Sequence, residues 1–181
     1  MSKFELVIDT QVLVDASNPY SNKFDSTSFF LDIILGKILE EAKEIAICID
    51  AKDGNGDYHF FDPGKNDSMI ISEYSHELGR KNLDKPGWRF LKVLDEKTLI
   101  LTKPKWPEKK KKDFIRCHIK KCKQIDKILI GVTCNCKSST LISDEEEDFT
   151  KAIRKIVRNK PLKIQILHSN NDDLLAAISI I

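Results

Sequence analysis

Short apolar runs alternate along this chain with longer segments in which apolar residues recur every three or four positions. The runs lie at residues 6–8, 45–49, 97–102, 139–143 and 163–167. Continuous apolar runs of this length are typical of strands buried on both faces, and parallel strands of that kind are joined by crossover helices. The alternation therefore predicts an α/β fold, with a central parallel sheet flanked by helices.

The segments between the runs supply the helices and one insertion. Apolar spacing predicts helices over 28–44, 72–78, 113–131, 149–157 and 172–178, with Ser72 as an N-cap after an extended piece at 69–71. Residues 51–67 contain the sequence Asp-Gly-Asn-Gly-Asp, which indicates a loop or hairpin insertion. No internal repeat or linker divides the chain, so we expect one domain over residues 1–181.

Composition excludes several classes of protein. The chain has 181 residues, of which 41% are hydrophobic and 32% are charged, as in globular domains. No apolar run reaches the roughly 18–20 residues of a membrane-spanning helix. The N-terminal residues lack the apolar core of a signal peptide, and five cysteines without such a signal indicate free thiols in a reducing compartment. We therefore expect a cytoplasmic protein without a membrane partner.

Positive charge is concentrated in one stretch. Residues 103–123 contain ten basic side chains and two acidic ones, so the stretch carries +8 in a chain whose formal charge is only +2. This distribution is typical of a surface that faces phosphate groups. A solvated lysine-rich loop and helix face would show the same pattern.

Carboxylates occupy informative positions relative to the predicted elements. Asp9 and Asp144 each end a strand, Asp148 follows four residues later, and Asp126 lies on the apolar side of a predicted helix. Ligands of open α/β sheets bind at the carboxyl ends of strands, and a divalent cation relieves the repulsion between converging carboxylates. Asp144 and Asp148 are equally compatible with acids that stabilise the N-terminus of a helix.

These residues occur within an ordered set of motifs. The segments are VIDTQVLV at 7–14, ISEYSHEL at 71–78, the acid Asp126, LISDEEEDF at 141–149 and KIQIL at 163–167. Together they resemble the PIN domain, the nuclease fold of VapC-type toxins and RNA-processing enzymes. The resemblance implies a three-layer, Rossmann-like fold and a Mg²⁺- or Mn²⁺-dependent ribonuclease.

The resemblance also implies a site. Its catalytic acids would be Asp9, Glu77, Asp126 and Asp144, and its metal ligands Asp9, Asp126, Asp144 and Asp148. From the basic stretch we expect RNA-binding residues at Lys109, Lys110, Lys111, Lys112, Arg116 and Lys120. Glu73, one helical turn before Glu77, competes for the second acidic position, and Asp144 and Asp148 compete for the last. Glu40 and Glu41 are weaker rivals. The partners implied are RNA, an antitoxin or regulatory protein, and a second copy of the chain.

One departure from the family pattern favours a different function. Gln11 stands where the family has Asn, which puts the orientation of Asp9 in question. Together with the insertion at 51–67, it favours a non-catalytic PIN-like module that binds RNA or a protein through a degenerate acidic site. Such a module would not need a metal.

Two other groups of residues carry weaker signals. A cluster of four thiols and one imidazole has the ligand types of a zinc site. Its spacings, C-x4-C and C-x-C, lack the C-x2-C of a zinc knuckle, so small buried free thiols explain the pattern better. The tryptophans offer base stacking, for which Trp106, beside the lysine run, is the better candidate than Trp88. The cluster consists of Cys117, His118, Cys122, Cys134 and Cys136.

Overall fold

The computed structural model describes residues 4–39, 45–51, 68–79 and 84–180. Their strands form one five-stranded, all-parallel sheet with the order β3-β2-β1-β4-β5. The strands are β1 (Phe4–Ile8), β2 (Ile45–Ala51), β3 (Ile100–Pro104), β4 (Thr140–Ile142) and β5 (Gln165–Leu167). The predicted α/β class with a central parallel sheet is confirmed.

Helices connect the strands and flank the sheet in a three-layer α/β arrangement. One of them, α6, packs across β1, β2, β3 and β4, while α2 packs against α1, α4 and α8. No helix in the described part of the chain has both the length and the apolar character needed to cross a membrane. The helices are α1 (Thr10–Asp15), α2 (Phe24–Leu39), α3 (Met69–Leu78), α4 (Pro86–Glu96), α5 (Lys109–His118), α6 (Gln124–Thr133), α7 (Lys151–Arg158) and α8 (Asp172–Ile180).

The strand order fixes the place where a ligand would bind. The chain passes outward from β1 through β2 to β3, then returns to the other side of β1 to form β4 and β5. The order therefore reverses between β1 and β4, which pair through Leu6–Thr140, Val7–Leu141 and Ile8–Ile142. In open parallel sheets the connections diverge at such a reversal and leave a crevice beyond the carboxyl ends of the strands. Asp9 and Asp144 follow these two ends.

The predicted helix over 113–131 is wrong, because the structure contains two helices, α5 and α6, separated by residues 119–123. The apolar rhythm continues through the break, since Ile119 and Cys122 are both buried. A side chain accounts for the new start. Asp126 Oδ2 accepts a 2.7 Å hydrogen bond from the backbone N–H of Lys123, which satisfies a donor that the first turn of α6 leaves free.

The starts of α3 and α4 also differ from the sequence prediction. Residues 69–71 are helical, because the cap of α3 is Ser68 rather than Ser72; its Oγ accepts from Ile71 N at 3.1 Å. The buried carboxylate of Asp50 accepts from Ser68 Oγ at 2.8 Å and from the backbone of α3, which fixes this start. Helix α4 begins at Pro86, where the sequence indicated only a break, because proline suits the first turn of a helix. The predicted insertion lies outside the described residues except for Ala51, and Glu40 and Glu41 lie outside them as well.

Candidate acidic metal site

Asp9 stands at the carboxyl end of β1 and caps α1. Its Oδ2 accepts a 2.6 Å hydrogen bond from Ser143 Oγ, and its Oδ1 accepts from Gln11 N at 3.4 Å. Burial raises the pKa of Asp9 to about 6, against the effect of these two donors and with a further contribution from the charges of Glu145 and Asp144. The carboxylate is therefore held in place in surroundings that disfavour its charge.

The Gln11 side chain does not orient Asp9. Its Nε2 donates instead to Oδ1 of Asp15 at 3.1 Å, and the same oxygen accepts from Ser21 Oγ at 2.8 Å. The orienting hydroxyl belongs to Ser143, which faces Asp9 from the adjacent strand end. Asp9 is thus anchored although Gln11 stands where the PIN domain that the sequence resembles has Asn.

Asp144 is 5% exposed at the carboxyl end of β4. Its Oδ1 accepts from Ser169 N at 2.9 Å and lies 3.3 Å from His168 Nδ1. Its Oδ2 is buried and receives no hydrogen bond from any residue that the structure describes. A buried carboxylate oxygen without a partner is costly, and such groups in folded proteins are commonly satisfied by an ion or water.

Asp126 and Asp148 complete the acidic cluster. Burial, together with the charges of Asp148 and Asp9, raises the pKa of Asp126 to about 7, against the effect of the Lys123 backbone donor and ammonium. Asp148 is paired with the exposed ammonium of Lys123, whose Nζ lies 2.8 Å from Oδ2. Asp9, Asp126, Asp144 and Asp148 therefore act on one another electrostatically from three separate parts of the chain. We refer to these four residues as the acidic cluster.

Cations near the cluster are directed mainly at backbone. Arg154 donates to the carbonyls of Ser143 and Glu145 at 3.0 and 3.2 Å and to those of Phe149 and Ile166. Lys23 Nζ donates to the carbonyl of Asp144. These contacts hold the loop after β4 in position but leave Asp144 Oδ2 without a partner.

The second acid implied by the resemblance is placed differently. Glu77 is 45% exposed on α3 and pairs with His76 Nδ1 at 2.8 Å, while Glu73 is half-buried on the same helix. The largest charge effects on Asp9 and Asp126 come from other carboxylates. Helix α3 nevertheless reaches the site through Tyr74, whose buried hydroxyl donates to the carbonyl of Ile8 at 2.5 Å.

The basic residues proposed to contact RNA lie on and beside α5. Lys109, Lys110, Arg116 and Lys120 are exposed, whereas Lys111 and Lys112 are half-buried. Lys112 Nζ stands 5.5 Å from the ring centroid of the half-buried Trp106. Trp88 is buried and donates its Nε1 to Gly79 O at 3.0 Å, so it is unsuited to base stacking.

The thiol cluster does not assemble as a zinc site. Cys117 and His118 are exposed, His118 stacks on Phe114, and Cys122 Sγ donates to Asp148 O at 3.2 Å. Cys136 instead lies beside Cys48 and Glu5. Among the described residues, Glu5, Cys48 and Cys136 are the one set of three whose candidate ligand atoms lie within 4.8 Å of one another.

The cluster of Glu5, Cys48 and Cys136 is already paired with a cation of the protein. Lys103 Nζ lies 2.9 Å from Glu5 Oε2, and Cys136 Sγ donates to Val132 O at 3.3 Å. A hydrogen bond with the Cys48 thiol, together with burial, also raises the pKa of Cys136, which disfavours the thiolate that a metal requires. The members of the acidic cluster are spread more widely, as expected of like charges that repel one another.

Sequence reasoning missed the neutral and basic residues that hold the acids. Ser143 and His168 each follow or end a strand, so the rule that selected Asp9 and Asp144 would have found them if applied to hydroxyls and imidazoles. The same rule would also have selected Asp50, whose wholly buried carboxylate accepts hydrogen bonds from Ser68 and the start of α3 and lies 3.5 Å from Lys105 Nζ. Nothing in the sequence marked Arg154 as part of the site beyond its place on a predicted helix.

Comparison with known proteins gives no match to this chain among family models, curated proteins or solved structures. The likeness to the PIN domain therefore remains a resemblance in the order of motifs. Function is therefore inferred from the chemistry of the acidic cluster.

Proposed function

We propose that this protein is a Mg²⁺- or Mn²⁺-dependent ribonuclease. The observation that carries the proposal is the buried Oδ2 of Asp144, which has no partner among the described residues and follows β4 as Asp9 follows the adjacent strand β1. An orphaned anionic oxygen beside a second buried carboxylate has a strong electrostatic need for a cation. Both acids follow strands at the reversal of strand order, where parallel α/β sheets bind ligands.

The donor set suits a hard divalent cation. Asp9, Asp126 and Asp144 would hold it, with Asp148 as a fourth carboxylate that must first release Lys123. All of these ligands offer oxygen, which Mg²⁺ and Mn²⁺ prefer, and none is a thiol. When bound, such a cation would activate water and neutralise charge that develops on a phosphodiester.

The remaining contacts set the positions of these carboxylates in advance. Ser143 holds Asp9, the backbone N–H of Ser169 holds Asp144, and that of Lys123 holds Asp126. Fixed carboxylates lose less entropy when they bind a cation and substrate than mobile ones would. Glu77, exposed on α3, would act through water rather than by direct coordination.

Helix α5 supports a polyanionic substrate. Its first turn consists of four lysines, Lys109–Lys112, at the helix end where the backbone dipole already disfavours positive charge. Placement of cations there costs stability, and binding to a phosphate backbone would offset that cost. We therefore propose that these lysines, with Arg116 and Lys120, bind RNA with little dependence on its sequence.

A second candidate function is a non-catalytic RNA- or protein-binding module with the same fold. The exposed position of Glu77 and its pairing with His76 favour it, because the resemblance assigns that acid to the metal site. A module of this kind would bind RNA equally well with and without divalent metal.

Cleavage of a labelled single-stranded RNA, with Mg²⁺ or Mn²⁺ and with EDTA, tests the proposal. We expect metal-dependent cleavage by the wild type and a loss of at least a hundredfold in Asp144→Asn. The matched control is Asp32→Asn, which changes an exposed aspartate on α2 and should leave the rate unchanged. RNA binding without cleavage by any of the three proteins would favour the non-catalytic module.

A further inference from the structure

A cavity of about 500 Å³ lies beside the outer edge of the sheet. Helix α7 forms one wall, the edge strand β5 forms another, and the start of α8 contributes Asn171 and Asp173. The α7 wall consists of Lys151, Arg154, Lys155 and Arg158. We refer to this cavity as the α7 groove. It is separate from the lysines of α5.

The exposed cations of the α7 groove stand in a row. Lys151, Lys155 and Arg158 are spaced by four and three residues, which places them on one side of the helix about one turn, or ~5.4 Å, apart. None of the three forms an ion pair with another residue in the part of the chain that the structure describes. Asp173 is the one acid that lines the groove. The groove is therefore strongly basic, and these three cations are not neutralised by ion pairs among the described residues.

The strand edge in the α7 groove is closed to an added peptide strand. Gln165 N and Leu167 O bond to β4, so Ile166 is the residue of β5 whose backbone faces outward. Its carbonyl already accepts a 2.8 Å hydrogen bond from Arg154 Nη1. A peptide that extended the sheet would find a strand of three residues with its outward acceptor taken. The groove thus offers side-chain cations rather than a sheet edge.

Arg154 connects the α7 groove to the acidic cluster. The guanidinium that lines the groove also donates to Ser143 O and Glu145 O, on the loop that carries Asp144. The charges of Asp144, Glu146 and Asp9 act on it. A chain that lies in the groove would accordingly pass close to the loop that carries Asp144.

We propose that the α7 groove binds the phosphodiester backbone of single-stranded RNA on its way to or from the acidic cluster. The inference rests on the proposed ribonuclease function and adds to it a second contact surface, separate from the lysines of α5. Three cations on a rigid helix bind successive phosphates without reading bases. Binding through this surface is therefore independent of sequence and strongly dependent on salt.

Fluorescence anisotropy with a labelled oligouridylate, in EDTA so that no cleavage occurs, tests the inference. The variant is the triple change Lys151→Gln, Lys155→Gln and Arg158→Gln. Its matched control removes one arginine and two lysines from α4 and its C-terminal end: Arg89→Gln, Lys92→Gln and Lys97→Gln, all exposed. We expect the α7 variant to bind at least tenfold more weakly at 0.1 M salt, with a salt slope about two smaller. The α4 variant should bind as the wild type does.

Other results would overturn the inference. Equal binding by the α7 variant and the wild type would remove the groove from the RNA path, even if Asp144→Asn still abolished cleavage and the ribonuclease function stood. Absence of both RNA binding and cleavage in the wild type would instead defeat the ribonuclease proposal. Binding of polyglutamate that the α7 variant loses, with no RNA binding, would assign the groove to an acidic protein.

Discussion

Ser143 Oγ donates a 2.6 Å hydrogen bond to Asp9 Oδ2 and so joins the carboxyl ends of β4 and β1. Both residues are buried. The bond spans the position where the strand order reverses. It orients one acid of the cluster, and the next residue in the chain is another acid of the cluster, Asp144. A single hydroxyl thus fixes the relative placement of two proposed metal ligands.

Removal of that hydroxyl should affect both stability and activity. We expect Ser143→Ala to lower the free energy of unfolding by about 1–3 kcal/mol, because Asp9 Oδ2 loses its donor in a buried place. Metal-dependent cleavage should fall at least tenfold. Ser143→Thr retains the hydroxyl and should recover most of the activity. Urea unfolding and initial cleavage rates of the three proteins provide the measurement, and equal rates for all three would contradict this role.

Stability of the metal-free protein should fall as the pH rises. Folding raises the pKa of Asp9 from 3.8 to about 6 and that of Asp126 from 3.8 to about 7. The folded state therefore binds more protons than the unfolded state between about pH 4 and 7, and it loses this advantage as both carboxyls ionise. Thermal unfolding in EDTA should show a lower Tm at pH 7.5 than at pH 5.5 from these two groups.

Variants separate this effect from other titrations. Asp126→Asn removes one ionisation, so it should make the pH dependence of Tm shallower and raise the Tm at pH 7.5 by about 2–4 °C for each kcal/mol gained. Mn²⁺ should stabilise the wild type more at pH 7.5 than at pH 5.5, because protons compete for the same oxygens. A Tm that responds identically in wild type and variant would show that Asp126 does not titrate in this range.

Arg154 should be critical for the shape of the loop after β4. Its guanidinium donates to four backbone carbonyls, from Ser143, Glu145, Phe149 and Ile166. We expect Arg154→Met, which keeps the aliphatic volume, to cost about 2–4 kcal/mol of unfolding free energy, because charge-assisted bonds to buried carbonyls are lost. Chemical denaturation of this variant beside the exposed Lys155→Met measures the effect. A loss of the same small size in both would contradict it.

Glu77 should contribute less to cleavage than the buried acids. Its side chain is 45% exposed, so Glu77→Gln should leave Tm within about a degree and lower cleavage by roughly tenfold, as expected of a ligand that acts through water. Glu73→Gln is the paired comparison on the same helix. Rates measured for both variants decide which acid serves the site. A loss in Glu73→Gln alone would transfer the role to that residue.

The sequence predicts the sheet better than it predicts the helices around it. Buried parallel strands are marked by continuous apolar runs, so β1 and β2 were located within two residues at each end. Periodicity could not show the end of α5, because Ile119 and Cys122 remain buried through the break and keep the helical rhythm. The new start after the break depends on the Asp126 side chain as a cap, and that cap can be recognised only once the path of the backbone is known.

Part of the candidate site could also be predicted from the sequence, because its acids follow recognisable strands. Acids that follow strands lie together wherever those strands are neighbours, and Asp9 and Asp144 follow the pair β1 and β4. Asp50 also lies near the carboxyl end of a strand, β2, but its carboxylate accepts hydrogen bonds from Ser68 and from the first turn of α3. Strand position alone does not separate an orphaned acid from one with a full set of donors. The distinction requires the hydrogen-bond partners of each oxygen.

Isothermal titration of the metal-free protein with Mn²⁺ at pH 7.5 tests the central claim most directly. We predict saturable binding to the wild type and to the control Asp32→Asn, and at least a tenfold weaker affinity in Asp144→Asn, which removes the charge of the unpartnered carboxylate. Circular dichroism should show that all three proteins remain folded. Equal Mn²⁺ affinity in Asp144→Asn and the wild type would contradict the assignment of the acidic cluster as the metal site.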